Sequence, residues 1–147
     1  MPLMPTTTPR QDVRAAFKAI LDAAALGVPV HERRPYEGAE IRSVVLTLVS
    51  GSNQVPSLGM QHSSTERALE SRYRLQIDCY HDEQTECERL ADKVDQAITD
   101  HLETLRSTYD IHDVKKIVDT DTAPPEPGLH EGRILMDYEF YTHRTVT

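Results

Sequence analysis

Cysteine, histidine and carboxylate side chains gather once at short spacing in this chain, at Asp78, Cys79, His81, Asp82 and Cys87. Thiolate and imidazole are the usual ligands of zinc, so this run is the place to look for a metal centre. Its spacing is that of no finger or knuckle. Cys79 falls on the apolar side of a predicted strand and Cys87 on the apolar stripe of a predicted helix, positions where cysteine serves as a small hydrophobic filler. Two cysteines are also too few for a disulfide framework. The pair reads as free core thiols, and no metal or other cofactor is expected. A small metal-dependent or hydrolytic enzyme is the lesser alternative.

Seven histidines and several serines allow a nucleophile and a base to be paired on paper. No serine stands in a G-x-S-x-G elbow, the strand-turn-helix step that exposes a nucleophile. His62 lies in a polar stretch, His101 on a predicted helix and His143 near the terminus, which suits surface or hydrogen-bonded packing roles. Gly51 and Gly59 stand alone, outside any spacing that aims backbone amides at a phosphate. No catalytic residue is assigned, and the chain is read as a non-enzyme.

Arg72 and Arg74 share one side of a predicted strand and, with Arg33 and Arg34, form a basic strip. The ordinary fate of such cations is pairing with nearby carboxylates. The functional alternative is an acidic patch on a neighbouring subunit, because the guanidinium fork bonds carboxylates bidentately. A tight grip on nucleic acid is not expected, since the net charge is −8 and the basic runs stop at Arg33-Arg34 and Lys115-Lys116.

The elements that must position these residues follow from periodicity. The chain has 147 residues, 38% of them hydrophobic and 27% charged, which fits one globular domain without staples. Residues 1–8 read as a flexible lead and 9–147 as a single α/β domain. Thr8 is the predicted cap of a first helix, with Pro9 at its first position and Gln11 at capping-box spacing. Val13, Ala16, Phe17, Ile20, Leu21 and Ala24 then recur on one stripe, ending near Gly27.

Val28 to Arg34 reads as a short extended segment. After Pro35 and Gly38 comes a strong strand, Ile41 to Val49, with Val44, Leu46 and Leu48 on one side and Ile41, Val45 and Val49 on the other. A strand apolar on both faces needs two covers, so either the sheet is sandwiched or a second subunit supplies one of them. Ile41, Val45 and Val49, with Arg72 and Arg74, are therefore assigned to a subunit interface. From about residue 50 to 65 the composition turns to Gly, Ser, Asn, Gln, Pro and His, which predicts a projecting loop or loose β-arm.

Leu69 to Tyr80 alternates, with Tyr73, Leu75, Ile77 and Cys79 on the core side and Arg72, Arg74, Gln76 and Asp78 opposite. Asp82 is the predicted cap of a long helix whose early Glu83, Glu86 and Glu88 suit the helix dipole. Its stripe runs through Cys87, Leu90, Ala91, Val94, Ala97, Ile98, Leu102 and Leu105. A strand from Ile111 to Val118, a proline-rich loop near 120–132 and a last strand from Arg133 to Arg144 complete the chain. In that last strand Ile134, Met136, Tyr138 and Phe140 face the core. The expected fold is α+β: one domain, a mostly antiparallel sheet of about four to five strands, an N-terminal helix and one long helix. No apolar run reaches bilayer length and Met1 to Arg10 lacks a signal-peptide pattern, so no membrane partner is expected and synthesis is placed in a cytoplasm.

This order of elements, from about Arg10 to Arg144, resembles the tail terminator proteins of long-tailed viruses, also called tail completion or head-tail joining proteins. The most specific step is Ile77-Asp78-Cys79-Tyr80 running into the acid-capped helix from Asp82 to Arg106. Neck adaptor or stopper proteins that complete the head share this size and architecture and form the alternative. The resemblance implies a homomeric ring, generally a hexamer, that caps the head-proximal end of the tail tube. Such a ring ends tube polymerisation, joins the tail to the head connector and passes double-stranded DNA through its centre without reading sequence. Its partners would be copies of itself, the tail tube protein and the head connector, in a virion assembled in the host cytoplasm. On that reading Asn53, Gln54, Val55, Leu58 and Met60 are assigned to tube or connector contact, and carboxylates facing the channel would repel DNA phosphates.

Overall fold

A computed structural model describes residues 9–32, 42–51, 55–56, 67–121 and 132–146. Helix α1 spans Pro9–Ala23 and buries Val13, Ala16, Phe17, Ile20 and Leu21, the stripe its sequence spacing predicts. Thr8, the predicted cap, lies outside the described residues. The helix stops four residues before Gly27, and the chain turns away through Ala25 and Gly27, both at positive φ. It enters the two-residue strand β1, Val30–His31.

Strand β2 covers Ser43–Gly51, two residues later at each end than the expected segment. A two-residue strand β3, Val55–Pro56, follows, and then β4, Arg67–His81. Helix α2 is Gln84–Asp100, helix α3 Leu102–Tyr109, strand β5 Ile111–Asp121 and strand β6 Gly132–Val146. The sheet runs β1-β2-β4-β6-β5, with β3 also pairing β4, and only the β1–β2 pair is parallel. This is the expected α+β domain with a mostly antiparallel sheet.

Two expectations about the long helix are corrected. Asp82 does not cap it: Glu83 is the N-cap residue, without a side-chain bond, and the Asp82 carboxylate instead accepts from Arg42 Nε and Nη2 at 2.8 and 3.2 Å. The helix is also not continuous to Arg106. His101 Nδ1 sits 2.7 Å from the Ala97 carbonyl, the acceptor its own backbone amide would use in an unbroken helix. That amide donates to Ile98 O at 3.1 Å instead, and α3 starts afresh at Leu102. The restart buries Leu105 fully and leaves Leu102, assigned to the same stripe, 42% exposed.

All three helices lie on one side of the sheet and share one core with its strands. The strand residues in that core are Val30 of β1, Val44 and Leu46 of β2, Tyr73 to Cys79 at alternate positions of β4, Ile111 of β5, and Ile134, Met136, Tyr138 and Phe140 of β6. Phe17 of α1 packs on Phe140 at 5.2 Å between ring centres, and Tyr73 stacks on the same ring at 5.9 Å. Strands β4 and β6 pair without interruption from Arg67↔Val146 to His81↔Gly132. No described helix is long and apolar enough to cross a membrane.

Candidate interaction face

Cys79 and Cys87 are both free thiols with no exposed surface, and Cys87 Sγ donates to the Cys79 carbonyl oxygen at 3.2 Å. Burial pushes the Cys79 thiol well up and the Cys87 thiol up to about 11, which keeps both protonated and poor as nucleophiles or ligands. His81 Nδ1 lies 3.1 Å from the Glu83 amide nitrogen and 2.9 Å from Asp82 Oδ1. Among the described residues no three His, Cys, Asp or Glu side chains converge on a point where a metal ion could sit.

The alternate positions of β4 and β6 that leave the core build a different surface. With every described helix on the opposite side, this face is formed by Val45 and Thr47 of β2, Arg72 to Tyr80 at every second residue of β4, and Arg133 to Tyr141 at every second residue of β6. Antiparallel register puts Gln76 opposite Asp137 and Arg74 opposite Glu139. Arg74 reaches diagonally past Glu139, and its Nε and Nη2 donate to Asp137 Oδ2 at 2.9 and 2.5 Å. A second pair lies one step along the sheet, where Arg133 Nε donates to Asp78 Oδ1 at 3.0 Å and Gln76 Nε2 to Asp78 Oδ2 at 2.6 Å.

Aromatic rings flank the two pairs. The Arg133 guanidinium stands 5.6 Å from the Tyr80 ring centre and that of Arg72 5.9 Å from Tyr141, on which His112 of β5 also stacks. Each cation thus meets an electron-rich ring face, a weak attraction of about 0.5–1 kcal/mol at exposed sites. Asp78 and Asp137 are only 3% and 4% exposed, although no described helix covers them. Burying a carboxylate is tolerable where donors replace water, and four such bonds do so here. The face is balanced, with Arg72, Arg74 and Arg133 against Asp78, Asp137 and Glu139, on a chain whose net charge is −8.

The sequence contains no close match among known families: no family model fits this chain, and no curated protein matches it. The arrangement must be read from its own chemistry. Its arginines already meet carboxylates or rings, so an anionic substrate would compete with those partners, two of them the buried Asp78 and Asp137. The face offers shape, balanced charge and stacked rings, which are the features of a packing surface.

The residues assigned from sequence to a subunit interface are distributed unevenly. Val45 lies on this face but is 3% exposed, Val49 is 49% exposed at an irregular step of the β2–β4 ladder, and Ile41 lies outside the described residues. Arg72 is exposed and Arg74 half-buried in its pair. Of the residues assigned to tube or connector contact, Val55 pairs with Glu70 through the β3–β4 ladder. Asn53, Gln54, Leu58 and Met60 lie outside the described residues.

Sequence reasoning missed a second feature, an acidic groove between α2 and the β5–β6 edge lined by Glu88, Asp92, Asp95, Asp119 and Asp121. Lys116 crosses it, 2.9 Å from Asp119 and 3.5 Å from Asp95, and its pKa is raised chiefly by its bond to Asp119. Tyr138 Oη reaches out of the core to donate to Asp95 Oδ1 at 2.6 Å. Burial first, and then Asp95, hold that phenol protonated far into the alkaline range. The signal for the groove was present only as acids on the polar side of α2, which alone describe an ordinary solvated helix face.

Proposed function

We propose that this chain is the structural subunit of a homomeric ring that caps the head-proximal end of a viral tail tube, stops its growth and joins it to the head. One observation carries the reading: a sheet face that no described helix covers, which buries two carboxylates in arginine pairs and is neutral among its described residues within an acidic chain. A surface of that kind suits contact between copies, because two neutral faces approach without the repulsion that two chains of charge −8 otherwise meet. The order of helices and strands, which is the order the resemblance to tail terminators implies, supports the same reading. The acidic groove fits a ring through which DNA slides, since carboxylates repel phosphates.

The test is imaging and sedimentation of the purified protein, followed by binding to isolated tail tubes and to portal-bearing heads. Rings with a central hole that bind tubes in preference to heads are expected. Preference for heads would replace the terminator by a neck adaptor. A monomer at high concentration that binds neither would end the proposal.

A further inference from the structure

The two edges of the sheet are built differently. Strand β5, at one edge, carries two breaks in its ladder with β6, a left-handed Asp113 and the lysines Lys115 and Lys116. Bulges and charges of that kind keep an edge from adding a foreign strand. The β2 side carries one irregular step, between Leu48 and Ser50, and no charge. Strand β1 pairs only Val44 and Val45, so among the described residues no strand borders β2 from Leu46 onward. The Val44 amide donates outward, to Pro29 O at 2.9 Å, so by the alternation of a strand the Leu48 amide points to the same open side.

Composition separates the edges further. No Asp, Glu, Lys or Arg occurs from position 43 to 65, in a chain that is 27% charged overall. Thr47 and Val49 are exposed on β2 without a charge to discourage pairing.

We infer that the edge of β2 from Leu46 to Leu48, which no described strand borders, is completed by a strand of a second copy of this chain, which continues the sheet across the subunit boundary. The inference rests on the ring reading and specifies where in each subunit the seam runs. The occupant is a second copy because an uncharged edge is where two chains of −8 can come within hydrogen-bonding distance, and because the main-chain groups of such an edge gain bonds with any copy that reaches them.

The experiment is amide hydrogen exchange on the full chain at low and high concentration, with sedimentation in parallel. In assembled protein the Leu48 amide is expected to exchange at least about tenfold more slowly than in the monomer. Val49→Lys, at an exposed position outside the face formed by Val45 and Thr47, is expected to abolish assembly and that protection while leaving the thermal midpoint of the monomer unchanged. Rings whose Leu48 amide exchanges as fast as in the monomer would overturn the edge inference and leave the ring standing. A wild-type chain that stays monomeric at every concentration would overturn both.

Discussion

The Arg74 guanidinium donates twice to a single oxygen of Asp137, diagonally across β4 and β6, and leaves the other carboxylate oxygen buried without a partner among the described residues. The Asp137 side chain is 6% exposed and that of Arg74 41%, so the pair is anchored at its acidic end. Arg74→Met strands a buried carboxylate and is expected to cost about 1–3 kcal/mol, below the fully buried range because the cation is half in water. Arg74→Met combined with Asp137→Leu is expected to recover most of that loss. Guanidinium unfolding of the two variants checks it, and equal stabilities would show that the two residues are not coupled.

Helix α2 crosses β6 so closely at Gly132 that a Cβ there would lie 2.7 Å from Cys87 Cβ and 2.9 Å from Gln84 Oε1. The first contact involves an atom fixed to the helix backbone and cannot be relieved by a rotamer change. Gly132→Ala is expected to destabilise the fold by about 1–3 kcal/mol, the usual cost of overpacking. A lower thermal midpoint would be the readout, and Cys87→Ala in the same chain should not rescue it because the Cβ remains.

Stability should decline on the alkaline side in a way the thiols account for. The Cys87 thiol is raised from 9.0 to about 11, and Cys79 is raised as well. Between those values the folded state keeps a proton the unfolded state has lost, so unfolding is favoured as pH rises. The slope is about 1.4 kcal/mol per pH unit for each thiol, and the effect is absent below the unfolded value. Denaturation midpoints measured from pH 8 to 11 should fall, and Cys87→Ala should flatten the slope. The same variants should show that native protein reacts with thiol reagents only as fast as it unfolds.

The Asp82 carboxylate is held below the usual range, first by its hydrogen bond from Arg42, and the Arg42 pKa rises in turn. A depressed carboxylate stabilises the fold above its unfolded pKa and loses that contribution as pH falls through the folded value. Arg42→Gln is therefore expected to return the Asp82 titration, followed by carboxyl carbon shifts, toward the ordinary value near 3.8. An unchanged titration would show that the pair does not form in solution.

Both the core and the opposite side of β4 could be listed residue by residue before any coordinates. Tyr73, Leu75, Ile77 and Cys79 occupy the predicted side of β4 and are buried under the helices, with Ile134, Met136, Tyr138 and Phe140 beside them. A strand repeats every two residues and a helix every 3.6, so side-chain polarity records which side faces the core wherever only one side does. The helix break was not visible, because His101 acts through a hydrogen bond to Ala97 O that no polarity pattern records. Nor was the fate of Asp82, whose partner Arg42 is 40 residues away in sequence.

The sequence by itself determined the class of the fold, the approximate limits of most elements and the two sides of β2 and β4, since these depend on local propensity and periodicity. Only the tertiary structure decided that every described helix lies on one side, that Arg74 meets Asp137 while Arg133 meets Asp78, and that no described strand borders β2 beyond Val45. Those facts follow from strand order and register. Both are set by contacts between residues far apart in the chain, which leave no mark on the spacing within any one element.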